Sequence, residues 1–406
     1  MSTLLKNANI IDGNGEFLEK KDILINDNGI IENISNNIKV PSNVKILDIN
    51  GKYIIPGLIN LHVHINRRHL SRNTGVFRMG APAVENSPDG MRMVYALKNA
   101  LFELSIGITT LRDLCSVGRT ASILRDSINK GIIRGPRLIT CGLGIATTGG
   151  HETHRYPGAV EADGPDEVLK ATRNEIKHGA NFIKLMASGG IGGMPEKEHP
   201  NWAEFSIEEI TAAVMGAHSH KKGVTVHAMG AEPVLNALKG GVDGIEHGTV
   251  LTEEALDIME SRGVYYVPTM SGITSVAERE EKNGNIELAK EIKEIVVFPQ
   301  RESVKLAKKR NILIGAGSDT LGSVQKELLL FEECGFSRKE ALQTATGNAA
   351  KILGLESTIG FIKKNFDADL LVLDKNPLED LNNLSSVNMV FKKGQLVNSD
   401  WFLNLQ

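Results

Sequence analysis

The sequence predicts an α/β protein built on a (β/α)8 TIM barrel, with a small β-sandwich domain formed from both chain ends. Three observations predict this fold. The chain of 406 residues is about the length of such a barrel with one additional module. Short apolar runs alternate with helical patterns through its middle, and both ends carry only strand patterns. We therefore expect a composite β domain at residues 1–56 and 357–406, and the barrel at residues 57–356.

Both chain ends predict β-strands joined by tight turns. The apolar runs Ile23–Ile25 and Ile30–Ile31 flank Asn28-Gly29, a pattern typical of a hairpin because both turn residues tolerate positive φ. Near the other end, Asp369–Leu373 predicts a buried strand and Lys393-Gly394 predicts a turn. Strands from the two ends are expected to share one small domain.

The middle of the chain predicts alternating strands and helices. Capping boxes that begin at Ser206 and Ser337 predict helix starts, and Pro165 suits the first turn of a helix. Eight parallel βα units favour a barrel over an open doubly wound sheet. The candidate strands are Ile54–His64, Ile108–Leu111, Arg137–Cys141, Phe182–Met186, Val224–His227, Gly244–His247, Val264–Val267 and Ile312–Gly315.

The composition excludes several classes of function. The net charge of −3 offers no basic field for nucleic acid or an anionic membrane. No apolar stretch reaches the roughly 18–20 residues that a membrane span needs, and the N-terminus shows no secretory pattern. The cysteines Cys115, Cys141 and Cys334 are odd in number and far apart, which favours a reducing compartment. We expect a cytoplasmic, homo-oligomeric enzyme without nucleic-acid or membrane partners.

Four histidines stand at the ends of predicted strands. His62 and His64 close the first barrel strand, and residues i and i+2 of a strand point the same way. His227 and His247 each end a short apolar run. A single histidine in such a place is more often a core or surface residue than a ligand. Four on the barrel face that carries active sites favour a metal site, because imidazole is the commonest nitrogen ligand for zinc-like metals.

Two further residues extend this candidate site. Asp319 follows the eighth apolar run, where it could cap a helix, or bind a metal and accept a proton from water. Lys184 lies inside the run Phe182–Met186, where a charged amine is costly to bury. It could be a snorkelling or ion-paired lysine. Alternatively, burial lowers the pKa of lysine, and the neutral amine can react with carbon dioxide to give a carbamate suited to bridging two cations.

Together these residues resemble the amidohydrolase superfamily. The similarity is greatest to its imidazolonepropionase-related branch of prolidase-like dipeptidases and carboxypeptidases, which includes zinc-dependent arginine carboxypeptidases. It runs through essentially the whole chain, with the motifs in the family's order. The matching motifs are Pro56–His64, Phe182–Gly190, Val226–Ala228, Ile245–Gly248, Gly317–Thr320, Thr344–Ala350 and Gly360–Leu370.

The resemblance implies two divalent metal ions, with zinc the expected metal for a histidine-rich ligand set. His62, His64 and Asp319 would hold the more buried ion. His227 and His247 would hold the other.

The same resemblance implies the chemistry. Lys184, carboxylated to a carbamate, would bridge the two ions. A hydroxide between them would attack the scissile carbonyl, and Asp319 would shuttle its proton to the leaving amine. His151, in the loop Gly149–His151, resembles the family's histidine that contacts the tetrahedral centre, and a flexible glycine-rich loop is the alternative interpretation.

Substrate contacts are expected in two loops. His154 and Arg155 could each meet a substrate carboxylate, or could lie in a solvated loop. The acidic loop Glu196–His199 could frame a cationic side chain, or could be solvated as charged loops usually are. Relatives often carry a substrate-binding tyrosine where this chain has Met229, so their substrate preference cannot be transferred to it.

Three hypotheses for the function follow. The first is a hydrolase acting on a small peptide, and we favour release of a C-terminal arginine or lysine, with Xaa-Pro dipeptidase activity as the alternative. The second is a cyclic-amide hydrolase or deaminase of the same superfamily, against which Lys184 argues because mononuclear members generally lack it. The third is a non-enzymatic homologue, but such proteins typically lose ligands and here all six are present.

Overall fold

The computed structural model describes residues 2–69, 78–79, 87–153, 158–192, 194 and 197–398. Its strands are β1 (Thr3–Ile11), β2 (Phe17–Ile25), β3 (Ile31–Ser35), β4 (Lys45–Asp48), β5 (Tyr53–Pro56), β6 (Leu58–Val63), β7 (Arg68–His69), β8 (Arg78–Met79), β9 (Ile108–Asp113), β10 (Arg137–Thr140), β11 (Gly144–Ala146), β12 (Ala159–Glu161), β13 (Ile183–Met186), β14 (Val224–Ala228), β15 (Gly244–His247), β16 (Tyr265–Val267), β17 (Leu370–Leu373), β18 (Val387–Lys392) and β19 (Gln395–Leu396).

Helices follow most of the parallel strands. Short 3₁₀ turns lie at Val117–Arg119 and Leu381–Ser385, and a π turn at Lys293–Val297. The α-helices are α1 (Asp89–Ser105), α2 (Thr120–Asn129), α3 (Gly164–Lys177), α4 (Ile207–His218), α5 (Ala231–Gly240), α6 (Glu253–Arg262), α7 (Met270–Lys282), α8 (Ile286–Ile292), α9 (Phe298–Lys309), α10 (Val324–Glu333), α11 (Arg338–Thr344) and α12 (Gly347–Ile352).

Strands from both chain ends form one eight-stranded sheet in the order β19-β18-β17-β5-β1-β2-β3, with β4 paired to β1. The predicted turn at Asn28-Gly29 joins β2 to β3, and Gly29 has a φ of 77°. The predicted turn at Lys393-Gly394 joins β18 to β19. Both turn predictions are confirmed. The two-layer sandwich and the domain bounds stay predictions, since these strands pair as a single sheet.

Parallel strands make up the middle of the chain. β10, β9 and β6 form one sheet, and β12, β11, β13, β14, β15 and β16 form another. Backbone hydrogen bonds continue past their edges, from Gly315 N to Tyr266 O (3.0 Å) and from Leu61 N to Ala316 O (2.9 Å). The chain thus has an α/β fold with a TIM-barrel-type domain and a curled β-sheet.

The eighth predicted strand differs from the others. Each of the first seven overlaps a strand of the structure, whereas Ile312–Gly315 forms only an isolated bridge between Ile314 and Tyr266. A Cβ added at Gly315 would lie 2.3 Å from Leu61 Cδ1. The segment therefore needs glycine to pass close beside β6, and glycine weakens a regular ladder. The three-residue strands β11 and β12 were not predicted, because three residues are too few to show a period.

Helix starts follow the predicted signals. Ser206 and Ser337 both form reciprocal capping boxes at the starts of α4 and α11, and Pro165 lies in the first turn of α3. The main apolar core brings strand residues such as Val226 together with helix residues such as Val234. None of the helices described here is long and apolar enough to cross a membrane.

A group of partly and fully buried charges links the terminal sheet to the parallel strands. Arg137 of β10 pairs with Asp367 at 2.5 Å and with Asp369 at 2.9 Å. Asp369 also accepts a hydrogen bond from Lys392 of β18 at 2.6 Å. Because each buried charge has a partner, both parts of the chain contribute to one satisfied network.

Candidate metal centre

The four predicted histidines form one cluster at the carboxyl ends of the parallel strands. The ring centroid of His62 lies 5.4 Å from that of His64 and 4.9 Å from that of His247. His247 and His227 are 4.5 Å apart. All four side chains are at least nine-tenths buried. The strand-end placement that the sequence predicts therefore brings these imidazoles together.

Each ring on the β6 side has one nitrogen engaged by the protein. His62 Nδ1 lies 2.8 Å from Glu246 Oε2, and His64 Nδ1 lies 3.0 Å from the Cys115 carbonyl oxygen. Nε2 of both rings is the nitrogen that faces the cluster. His62 Nε2 is buried and has no hydrogen-bond partner among the described residues. A buried imidazole nitrogen in that state is suited to a ligand that the protein itself does not supply.

Asp319 completes a three-residue group with His62 and His64. Its Oδ1 lies 3.5 Å from His64 Nε2, and potential ligand atoms of the three residues lie within 4.8 Å of one another. The Asp319 backbone has a φ of 55° and its amide donates to the His62 carbonyl at 2.8 Å. A left-handed aspartate held by the neighbouring strand fits a functional constraint. This group could bind a metal ion.

His227 on β14 and His247 on β15 likewise have one ring nitrogen engaged by an oxygen atom of the protein. His227 Nε2 lies 3.3 Å from the Gly189 carbonyl oxygen, and His247 Nδ1 lies 2.7 Å from Thr269 Oγ1. The other nitrogen of each ring remains for a ligand. His247 has a φ of 70°, so this residue too departs from regular strand geometry at the site.

Lys184 is buried beneath these rings. It lies on β13 beside Thr225 of β14, and its side chain is 1% exposed. No ion pair to its amine is formed by the part of the chain that the structure describes, which argues against the ion-paired interpretation. Burial lowers the pKa of Lys184 and Glu246 opposes that shift, with a net lowering. A larger neutral fraction is what carboxylation of the amine requires.

The electrostatics keep the imidazoles neutral. Burial lowers the pKa of His64 to about 4 and that of His247 to about 3, and it lowers the pKa of His62 and His227 as well. For Asp319, burial acts to raise the pKa, but the surrounding imidazoles outweigh it and hold the pKa well below its usual range. Neutral imidazoles and an ionised carboxylate are the forms that bind divalent metals.

The residues therefore fit the metal that the family resemblance implies. Two observations carry this fit. The first is the unpartnered Nε2 of His62. The second is that every imidazole has its outer nitrogen fixed by an oxygen atom, as metal-binding histidines generally do.

His151 lies beside this cluster. Its ring stacks on that of His227, with centroids 4.2 Å apart and planes at 22°. Nδ1 lies 2.5 Å from Glu198 Oε2, and the backbone amide donates to Glu204 Oε2 at 2.9 Å. Burial lowers the pKa of His151, but the hydrogen bond to Glu198 and the neighbouring carboxylates outweigh it, so the pKa is raised. The predicted substrate-contacting histidine is thus adjacent to the candidate metal ligands.

A further layer of polar residues surrounds the candidate ligands, and the sequence did not predict the role of these residues. The fully buried Glu246 accepts from Arg112 Nη2 at 2.5 Å and from Thr225 Oγ1 at 2.6 Å. Arg112 also donates to the Leu61 carbonyl at 2.6 Å and to Tyr265 at 2.8 Å. The sequence hinted at burial only through position: Glu246 lies within a predicted strand and Arg112 directly follows one. Their partners are distant in sequence.

The loop predictions have mixed outcomes. His154, Arg155 and Glu196 lie outside the described residues. The interpretation of Glu198 as a solvated loop residue is wrong, because its side chain is buried and engaged by His151. Its role in framing a cationic side chain stays a prediction. Met229 packs in an apolar cluster with Met194 and Ile273 on the same face of the barrel.

Comparison with known proteins gives a consistent result. The model of the Amidohydrolase family matches residues 53–397. Ochratoxinase from Aspergillus niger is 28% identical over 97% of this chain and 86% of its own. A Xaa-Pro dipeptidase structure with methionine bound in its active site has a TM-score of 0.85 and 32% identity, covering 98% of this chain and 100% of that one. A prolidase complexed with N-methylphosphonate-L-proline has a TM-score of 0.86 and 29% identity, over 98% and 99%.

Proposed function

This chain belongs to the amidohydrolase family as a hydrolase of amide bonds, and from that premise we propose that it is a binuclear metallopeptidase that cleaves dipeptides and releases their C-terminal amino acid. The single observation that carries the metal-dependent part is the buried, unpartnered Nε2 of His62 within a cluster of neutral imidazoles. A buried polar atom without a partner is costly, and a metal ion would satisfy this nitrogen.

The metal-binding residues divide into two groups in this proposal. His62, His64 and Asp319 would hold one divalent ion, for which zinc is the expected metal, and His227 and His247 would hold the other. Lys184, once carboxylated, would be a further anionic ligand. When bound, such ions polarise the amide carbonyl and lower the pKa of water toward neutrality.

The protein's own side chains then carry the proton and orient the substrate. The ionised Asp319 accepts a proton from the attacking water and returns it to the leaving amine. In this proposal His151 is protonated on both ring nitrogens, because the hydrogen bond to Glu198 and the neighbouring carboxylates outweigh burial and raise its pKa. Nδ1–H then donates to Glu198, and Nε2–H, 3.6 Å from Glu152 Oε1, donates to the oxygen that gains negative charge. The burial of these groups excludes bulk water, which strengthens both interactions.

An apolar C-terminal residue, proline or methionine included, is our first candidate for the released amino acid. Met229 and Met194 belong to an apolar cluster with Ile273, Val296 and Val297 on the site's face of the barrel. Methionine-lined walls adapt to apolar side chains. The similarity to a Xaa-Pro dipeptidase supports the same candidate.

A C-terminal arginine or lysine is the second candidate. It is favoured by Glu204, whose carboxylate accepts from the His151 amide but forms no ion pair with a cationic side chain among the described residues. Burial raises the pKa of Glu204, which a cationic substrate group would offset. This carboxylate lies next to the residue that we place at the reacting carbonyl.

A cyclic-amide hydrolase or deaminase is a third candidate. A dihydroorotase from Carboxydothermus hydrogenoformans is 30% identical over 63% of this chain and 62% of its own. The test is turnover of a panel by zinc-, manganese- and cobalt-loaded protein, with Ala-Pro, Ala-Met, Ala-Phe, Ala-Arg, Ala-Lys and dihydroorotate. We expect turnover of dipeptides. Turnover of dihydroorotate alone would overturn the peptidase proposal.

A further inference from the structure

Glu198 connects two loops at the edge of the site. It lies in the loop after β13, and its side chain is 5% exposed. A single oxygen, Oε2, lies 2.5 Å from His151 Nδ1 and accepts from the Gly190 amide at 3.0 Å. The carboxylate therefore joins the loop after β11, which carries His151, to the loop after β13, which carries Gly190.

The ring of His151 is restrained on several sides. One face stacks on His227. A Cβ added at Gly190 would lie 2.3 Å from His151 Cε1, so the Gly190 backbone passes directly beside the ring. Stacking and close approach fix the plane of the imidazole, but they do not decide which nitrogen faces the substrate. The contact with Glu198 does decide this, because an ionised carboxylate only accepts hydrogen bonds.

The loop after β13 also contacts the imidazole of His227, on which His151 stacks. The Gly189 carbonyl oxygen lies 3.3 Å from His227 Nε2. One short segment thus supplies an acceptor to the outer nitrogen of His227 through Gly189, and an acceptor to His151 through Glu198. The two stacked rings are oriented by neighbouring parts of one loop.

We propose that Glu198 is a positioning residue of the hydrolytic site: it holds His151 with Nδ1–H toward its carboxylate. This leaves Nε2, which lies 3.6 Å from Glu152 Oε1, as the nitrogen that faces the scissile carbonyl. This role rests on the proposed function, which supplies the scissile carbonyl. The contact between Glu198 and His151 does not depend on that function. Glu198 acts through His151 and does not touch the substrate. A cation-binding role for Glu198 is the competing interpretation of the same buried carboxylate.

A double-mutant cycle separates positioning from a purely structural role. The variants are Glu198→Ala, Glu198→Gln, His151→Asn and the Glu198→Ala/His151→Asn double variant, in zinc-loaded full-length protein with a dipeptide that the wild type hydrolyses. We expect Glu198→Ala to lower kcat/KM by roughly 10- to 100-fold, mainly through kcat, as losing the partner of a site histidine does. Glu198→Gln, which keeps an acceptor oxygen, should lose less.

The cycle then gives the decisive comparison. If Glu198 acts through His151, then adding Glu198→Ala to His151→Asn has no further effect on kcat/KM. An equal loss in both backgrounds would overturn the proposal. A loss confined to KM for Ala-Arg and Ala-Lys would also overturn it, in favour of cation binding. Glu208→Ala, which removes an exposed glutamate from the first turn of α4, is the matched control and should retain wild-type kinetics.

A second readout does not depend on turnover. In protein with ¹⁵N-labelled histidine rings, the Nδ1–H proton of His151 should give a low-field resonance, because the hydrogen bond to a carboxylate is short. We expect this resonance to vanish in His151→Asn, to shift in Glu198→Gln and to be lost in Glu198→Ala. An unchanged resonance in Glu198→Ala would refute the contact. If the wild type hydrolyses no panel member, the peptidase proposal fails while this measurement still decides the role of Glu198.

Discussion

Glu246 lies directly behind His62, with Oε2 2.8 Å from Nδ1, although 184 residues separate them in the sequence. Glu246 is also the immediate neighbour of His247 on β15. A single buried carboxylate therefore orients one proposed ligand through a hydrogen bond and is adjacent in the chain to another. The two halves of the candidate metal centre are coupled through this residue.

Glu246→Gln should weaken metal binding while leaving the fold in place. The amide replaces a charged acceptor, so His62 loses the partner that fixes its tautomer and raises its basicity as a ligand. We expect a loss of roughly 10- to 100-fold in zinc affinity, measured by competition with a chromophoric chelator. Both variants remove the counter-charge of the buried Arg112, so each should also lower the free energy of unfolding. The loss should be about 3–5 kcal/mol in Glu246→Ala and smaller in Glu246→Gln, whose amide oxygen can still accept a hydrogen bond from Arg112.

Thr225→Val is the matched control for that prediction. Thr225 Oγ1 donates to Glu246 Oε1, the oxygen that does not face His62. Its loss should leave zinc affinity close to that of the wild type. Equal losses of affinity in Thr225→Val and Glu246→Gln would mean that the orientation of His62 is not what Glu246 supplies.

Asp319→Asn should abolish turnover without unfolding the protein. Burial acts to raise the pKa of Asp319, but interactions with the neighbouring histidines in their protonated state hold that pKa well below its usual range. The carboxylate is therefore ionised at neutral pH, where the imidazoles themselves are neutral. An amide cannot accept and return the proton, so kcat should fall by roughly 10²- to 10⁴-fold. Thermal unfolding and steady-state kinetics test this, with the exposed Asp257→Asn as the control. More than a tenth of wild-type kcat in the Asn variant would contradict the proton-shuttle role.

Lys184→Met should change the metal stoichiometry. Methionine has a similar length, so the buried volume is largely kept while the amine is lost. We expect two zinc ions per wild-type chain and at most one in the variant, measured by elemental analysis after gel filtration. Added bicarbonate should increase zinc retention in the wild type and not in the variant, because only the amine can form a carbamate. A wild-type chain that retains one ion would refute the binuclear proposal, and the exposed Lys305→Met is the control.

The sequence was sufficient to predict that the four histidines and Asp319 meet, because the parallel strands of a TIM-barrel-type domain determine their placement. Residues at the carboxyl ends of different strands share one face whatever separates them in the chain. His62 and His227 are 165 positions apart (227 − 62) and lie in one cluster for that reason. The prediction did not require the pairing register of the strands, because it depended only on where each strand ends.

The residues behind the ligands could not be predicted in the same way. Glu246 and Thr269 contact His62 and His247 through particular rotamers and through local backbone departures, such as the φ of 56° at Thr269. No periodic pattern encodes such contacts. Glu198 was misinterpreted for a related reason: a charged residue in a loop is usually solvated, and only tertiary contact with His151 shows that it is buried.

Glu327 should give the stability of the fold a pH dependence that has nothing to do with the metal centre. It lies on α10, fully buried, and accepts from the amides of Met270 and Ser271 at the start of α7, at 2.9 and 2.6 Å. Burial raises the pKa of Glu327 to about 7, against the smaller opposing effect of these hydrogen bonds. The folded chain therefore holds a proton that the unfolded chain has already released at mildly acid pH.

The sign follows from linkage between proton binding and folding. The contribution of protonated Glu327 is fully present below the ordinary glutamate pKa of 4.5 and is lost as the pH rises through about 7. The corresponding change in unfolding free energy is about 3 kcal/mol. Glu327→Gln is neutral at every pH, so its stability relative to the wild type should increase by about that amount between pH 4.5 and 8. Urea unfolding of both proteins across this interval measures the difference, and metal release at acid pH affects both alike. Parallel stability profiles for the two proteins would show that Glu327 is ionised in the fold throughout, with the α7 amides stabilising its charge more strongly than burial penalises it.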